Sequence, residues 1–167
     1  MRAIAVILLA TFVTGCEKEK GEDLLARLPY WKWVHSEKKD DFTDVVSRSS
    51  VLKSGPISDG NEEPVEMHFR CTAGKMDFYL SWNRRIESDS LVDIRVDSDP
   101  HEPNKWEPST DRKSTFYPFL TPPFLDRLAA SKSFIARAST LSGEITAKFD
   151  TSKVLEETKE VRAACKF

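Results

Sequence analysis

Three stretches of the chain alternate apolar with ionisable residues, the period of a half-buried strand. Glu66, His68 and Arg70 interleave with Val65, Met67, Phe69 and Cys71; Asp77 and Tyr79 interleave with Met76, Phe78, Leu80 and Trp82; Asp93, Arg95 and Asp97 interleave with Val92, Ile94 and Val96. Carboxylate, imidazole and guanidinium on one face are the types that supply a base, an orienter and an anion clamp. The same residues also make an ordinary solvated sheet face with cross-strand ion pairs, and that reading is preferred here. His35, His68 and His101 are too scattered for zinc, and no nucleophile elbow, metalloprotease, P-loop or dinucleotide motif occurs. No catalytic residue, metal or cofactor is therefore assigned. A narrower polar set is expected to matter for binding. Arg95 and Asp97 share a strand face, and Trp106 followed by Ser109, Thr110 and Asp111 supplies a polar turn to close on them, ordering the Pro-rich loop from Ser98 to Asp111.

Cysteine chemistry is more specific. Met1-Arg2 is a short basic segment, residues 3 to 13 are apolar apart from Thr11, and Val13-Thr14-Gly15-Cys16 follows. An apolar run of this length is too short to span a bilayer and suits a secretory signal. The Gly-Cys end looks like a bacterial lipobox, in which the cysteine thiol accepts diacylglycerol and acyl chains of the palmitate type. Cys16 is then the first mature residue and the anchor to the membrane. Residues 1–15 read as the signal peptide and 16–30 as a charged tether, in which Leu24, Leu25 and Leu28 have the spacing of a helical turn or two before Pro29. Glu17 stands where Asp would favour retention at the inner membrane, so an outer-membrane, periplasm-facing location in the bacterial envelope is favoured.

Export places the two remaining cysteines in an oxidising space. Cys71 lies on the apolar side of its strand. In a helix read from about Ser152 to Cys165, the residues Val154, Thr158, Val161 and Cys165 share one face. Both thiols point inward, which favours a Cys71–Cys165 bond clamping the last helix to the sheet; two separate buried thiols is the other arrangement the pattern allows.

The elements that position these residues are short strands and two helices. Thr72-Ala73-Gly74-Lys75 reads as a hairpin turn, and Leu91 to Asp97 as the third strand of a meander. A further strand is expected around Ser114 to Leu120. Thr121-Pro122 caps a helix ending near Lys132, and Ser133 to Thr140 pairs with Glu144 to Phe149 about Leu141-Ser142-Gly143. Asp150, Thr151 and Ser152 offer caps for the last helix. The expected fold class is α+β, mainly antiparallel β, a sandwich-like sheet meander with two short helices. With 25 basic and 27 acidic side chains in 167 residues, the chain has no strong electrostatic claim on nucleic acid. At 40% apolar content it can fold, and its length leaves room for one domain, residues 31–167.

From Trp33 to Phe167 the chain resembles the VasI/TagO-like proteins associated with type VI secretion. The matching pieces are Trp33 with Asp41 ahead of the first strand, Phe69-Arg70-Cys71, Tyr79 to Trp82 and Ile94-Arg95-Val96-Asp97. They continue with Trp106 to Asp111, Phe124-Leu125, Ala147-Lys148-Phe149-Asp150 and Ala164-Cys165-Lys166-Phe167. The resemblance implies an exported, non-enzymatic accessory protein that binds a component of an envelope assembly. A stand-alone or prophage-encoded surface lipoprotein that binds or inhibits an envelope protein is the alternative.

Overall fold

A computed structural model of the chain describes residues 30–57, 63–87 and 91–167; the signal-peptide segment, Cys16 and the leucine turn of the tether lie outside the described residues. Among the described residues, ten strands and three short helices follow one another as β1 (Trp33–Lys39), β2 (Val46–Lys53), β3 (Glu66–Thr72), β4 (Lys75–Ser81), β5 (Leu91–Val96), β6 (Glu102–Lys105), β7 (Glu107–Pro108), β8 (Ser114–Phe116), α1 (Pro122–Ala130), β9 (Ser133–Thr140), β10 (Gly143–Asp150), α2 (Val154–Glu157) and α3 (Lys159–Cys165). The strands form two antiparallel sheets, one in the order β1-β2-β3-β4-β8-β7 and one in the order β10-β9-β5-β6. The expected class, mainly antiparallel β with short helices and a disulfide, is what the chain adopts.

Period-2 alternation gives each sheet one apolar face, and the two faces meet. Met67, Phe69, Phe78 and Leu80 of the larger sheet are buried with Val92, Ile94, Phe134, Ala136, Ile145 and Phe149 of the smaller in one cluster. Phe78 stands edge-on to Phe134 at 6.1 Å, joining the layers. The β3–β4 hairpin turns through Ala73 and Gly74, at φ 51° and 77°, between the paired residues Thr72 and Lys75. Two successive positive φ values match the twist of the flanking strands, and glycine takes such a value without steric cost.

Two expectations are corrected. β5 is not the third strand of a meander. It pairs with β9 and β6 in the second sheet, while β8 takes the free edge of β4. Alternation says which side a residue faces but not which strand lies beside it. Among the anchors of that change, the Trp82 indole N–H donates to Thr115 Oγ1 at 2.9 Å across the β4–β8 junction. Trp33 and Asp41 also do not precede the first strand: Trp33 opens β1, and Asp41 lies in the turn between β1 and β2.

The helices add to the core, α3 packing against β2, β3 and β4 of the larger sheet. Thr121 Oγ1 accepts from Phe124 N, Pro122 opens α1, and Phe124, Leu125 and Leu128 are buried. The last helix is interrupted at Thr158, whose hydroxyl donates to Val154 O at 2.6 Å, giving α2 and α3 in place of one. Neither takes a side-chain cap from Asp150, Thr151 or Ser152; Asp150 instead accepts from Ser152 N at 3.0 Å. Val154, Thr158, Val161 and Cys165 are buried along one side, as their spacing predicts. Cys165 is bonded to Cys71, closing a sequence separation of 94 residues. No helix among the described residues is long and apolar enough to cross a membrane.

Candidate functional site

The ionisable residues singled out in the sequence divide between two sheets and never form one constellation. On the larger sheet, His68 stacks on Tyr79 with centroids 4.4 Å apart and planes within 8° of parallel. The Arg70 guanidinium lies 5.0 Å from the Tyr79 centroid and 5.8 Å from that of Phe116, while its Nη2 donates to Asp77 at 2.9 Å. Glu66 bonds His68 at 3.2 Å, a contact that lowers the carboxyl's pKa against the opposing effect of burial. Burial raises the Tyr79 phenol. The ion pairs and ring faces of this strip are largely spent on one another, while the buried Arg70 Nε has no hydrogen-bond partner. It is a packed sheet surface, with cation–π and ion-pair contacts across β3, β4 and β8.

On the smaller sheet, Asp93 accepts from Arg137 at 2.7 Å and lies 3.4 Å from His101, and the Arg137 bond is the main reason its pKa is lowered. Arg95 stands nearby, without a hydrogen bond or ion pair among the described residues. With Ile135 and Thr146 these side chains line an open, shallow depression of about 370 Å³.

The polar set expected to order the Pro-rich loop is not assembled. Asp97 sits at φ 48° at the end of β5, and its Oδ1 accepts from the backbone N–H of Lys132 and Ser133 at 2.9 and 2.8 Å, tying β5 to the α1–β9 junction. These bonds lower its carboxyl pKa. Ser109 and Asp111 close their own turn: Ser109 Oγ donates to Asp111 at 2.6 Å, Asp111 accepts from Lys113 N at 3.0 Å, and Ser109 Oγ accepts from Ser114 N at 3.0 Å. Thr110 is exposed at the tip of that turn. Trp106 is buried against Tyr117 and Phe78, with centroids 5.0 and 5.9 Å away. The stretch itself lies down as the edge strands β6 and β7. Two side chains tie its first half to the body: Arg127 of α1, whose Nη2 donates to Asp99 at 2.8 Å and Glu102 at 3.0 Å, and His101, 3.4 Å from Asp93 of β5.

Two arrangements were not read from the sequence. Ser50, His35 and Glu157 meet across 122 residues of chain: His35 Nδ1 bonds Ser50 Oγ at 3.0 Å, and Nε2 bonds Glu157 Oε2 at 2.8 Å. These are the residue types of a nucleophile, base and orienter. Ser50, however, is buried and donates its proton to the Glu157 carbonyl at 2.7 Å. With its proton committed to that carbonyl, the hydroxyl accepts from His35 and gives the imidazole no proton to take as a base, and the trio acts as a latch between the first hairpin and α2. No short-range spacing could have signalled it.

The second is the tip of the β1–β2 hairpin. All of β1 beyond Trp33 is exposed, so this end of the hairpin stands clear of the sandwich. Asp40 Oδ1 accepts from Phe42 N at 3.0 Å and from Thr43 N and Oγ1 at 2.8 Å, and Asp44 N donates to Asp40 O at 3.0 Å. Lys39 is paired with Asp44, which takes φ 57°. On this fastened turn the Phe42 side chain is 97% exposed.

Among the described residues no group of three or more His, Cys, Asp or Glu stands close enough to hold a metal ion. Comparison with protein-family models, with curated proteins and with solved structures finds no match to this chain.

Proposed function

We propose that the chain is a lipid-anchored, periplasm-facing accessory protein of the bacterial envelope, favouring the outer membrane. It acts by binding a component of an envelope assembly of the type VI secretion kind, without catalysis of its own. The observation that carries the reading is the Cys71–Cys165 bond, which joins the two core-facing thiols and suits an oxidising compartment. The lipobox at Cys16 and the ordered resemblance of Trp33 to Phe167 to VasI/TagO-like proteins point the same way. In this reading the sandwich is a rigid body on a charged tether, and function resides in what its surface contacts.

Replacing the acylated thiol tests the anchor. Wild-type chain in its host should take up labelled palmitate and sediment with membranes, whereas Cys16→Ser should stay unlabelled and appear as soluble or unprocessed protein. A Cys16→Ser chain that remains membrane-bound at mature size would place the anchor elsewhere. Chemical cross-linking of the wild-type chain in intact cells should then recover an envelope protein in stable complex, and its absence would refute the binding role.

A further inference from the structure

Phe42 is the least covered large apolar side chain described, and the turn beneath it does not require it. The bonds that close this turn come from Asp40, Thr43, Asp44 and Lys39, while the ring, 97% exposed, adds nothing to packing. A single exposed ring is ordinary on a protein surface; what sets Phe42 apart is the fastened, projecting turn that presents it. Its backbone is already held by the Asp40 side chain and by the Asp40–Val45 and Asp44–Asp40 backbone bonds, so binding would order little more than two ring torsions. An aromatic anchor on a pre-organised turn is the form that interface hot spots take.

We propose that Phe42 is the anchor by which this chain docks into an apolar pocket with a basic rim on an envelope protein; this rests on the binding role argued above and names the surface that performs it. The charge around the ring selects the partner. Asp40, Asp41 and Asp44 flank it in sequence and outnumber Lys38 and Lys39; Asp41 has no ion-pair partner among the described residues, Lys39 is drawn onto Asp44, and Lys38 acts on Asp40. Carboxylates at the tip oppose insertion into an anionic lipid surface and favour Lys or Arg at the pocket mouth. A second copy of the chain is the competing occupant that the test separates, because its own depressions beside Leu155 and Ile135 carry Lys159 and Arg95.

The test places a photo-reactive phenylalanine analogue at position 42 of the full chain in its host, with the same analogue at exposed Phe119 as the control site. Irradiation should give an adduct with one envelope protein from position 42 only. That protein, purified and titrated with the full chain, should bind Phe42→Ala at least about tenfold more weakly, a difference of about 1.4 kcal/mol, and Phe42→Trp within about threefold of wild type. Asp41→Lys should weaken binding and flatten its dependence on salt. Because the ring packs against nothing, Phe42→Ala should melt as wild type does.

An adduct between two copies would overturn the proposal. So would Phe42-dependent flotation of the Cys16→Ser chain with vesicles of phosphatidylethanolamine and phosphatidylglycerol. If the captured protein binds Phe42→Ala as tightly as wild type, the docking surface is wrong and the binding role stands. If the wild-type chain holds no envelope protein at all, both fall.

Discussion

Asp97 illustrates how a surface carboxylate comes to serve the backbone. Its residue type and strand position suggested a partner for the polar turn after Trp106, yet its oxygen satisfies two N–H groups that the end of α1 and the start of β9 would otherwise leave to solvent. Those bonds lower its pKa in the fold, with burial opposing them and Lys132 assisting. A carboxyl whose folded value lies below its ordinary value of 3.8 adds stability that is present above that value and is lost as pH falls through the folded one. Asp97→Asn keeps an acceptor and tolerates the positive φ but removes the charge. Urea unfolding at pH 7 and pH 3 should therefore show a deficit for Asp97→Asn at pH 7 that shrinks at pH 3. An equal deficit at both would mean the ionised form carries none of the effect.

Among the elements, the strands with a clear inward apolar set were readable, and β1, β6 and β7, which lack one, were not. β3, β4, β5, β9 and β10 alternate cleanly because each presents one face to the core, and α1 announces itself through Thr121-Pro122. β1 carries almost no buried residue, so Val34-His35-Ser36-Glu37-Lys38-Lys39 has no pattern to read, and the Phe42 tip stayed hidden with it. The prolines of the stretch after Asp97 suggested a loop. Pro103 and Pro108 are accommodated because β6 and β7 are sheet edges, where a missing N–H need not break a ladder. Charge reading likewise missed Arg127, whose two carboxylate partners lie 28 and 25 residues away. Arg127→Ala should expose the segment between β5 and β6 to limited proteolysis with the melting temperature little changed, since the pair is partly solvated. Cleavage there that is no faster than in wild type would show that strand pairing and the His101 contact hold the segment.

For the whole molecule the disulfide decides how the chain end is retained. α3 packs against β3 and β2, and its buried contributions are Val161 and Cys165, with Phe167 partly covered beyond them. That is a small apolar contact for a helix of seven residues, too short to persist alone. The latch of His35 and Ser50 on Glu157 holds the neighbouring α2, so the Cys71 link and this polar contact share the work of fixing the C-terminus. Closing a 94-residue separation is worth about 4 to 5 kcal/mol in the chain-entropy account, most of it through restriction of the unfolded chain. Cys165→Ser should lower unfolding stability by an amount of that order or somewhat less. Amide exchange should then show α3 losing protection ahead of β3, β4 and β9, because the helix opens locally while the sandwich core stays paired. Peptide mapping without reductant should recover Cys71 and Cys165 in a single cross-linked species. If both thiols of the native, envelope-extracted protein alkylate fully, the clamp is absent and the retention of α3 falls to packing and the latch alone.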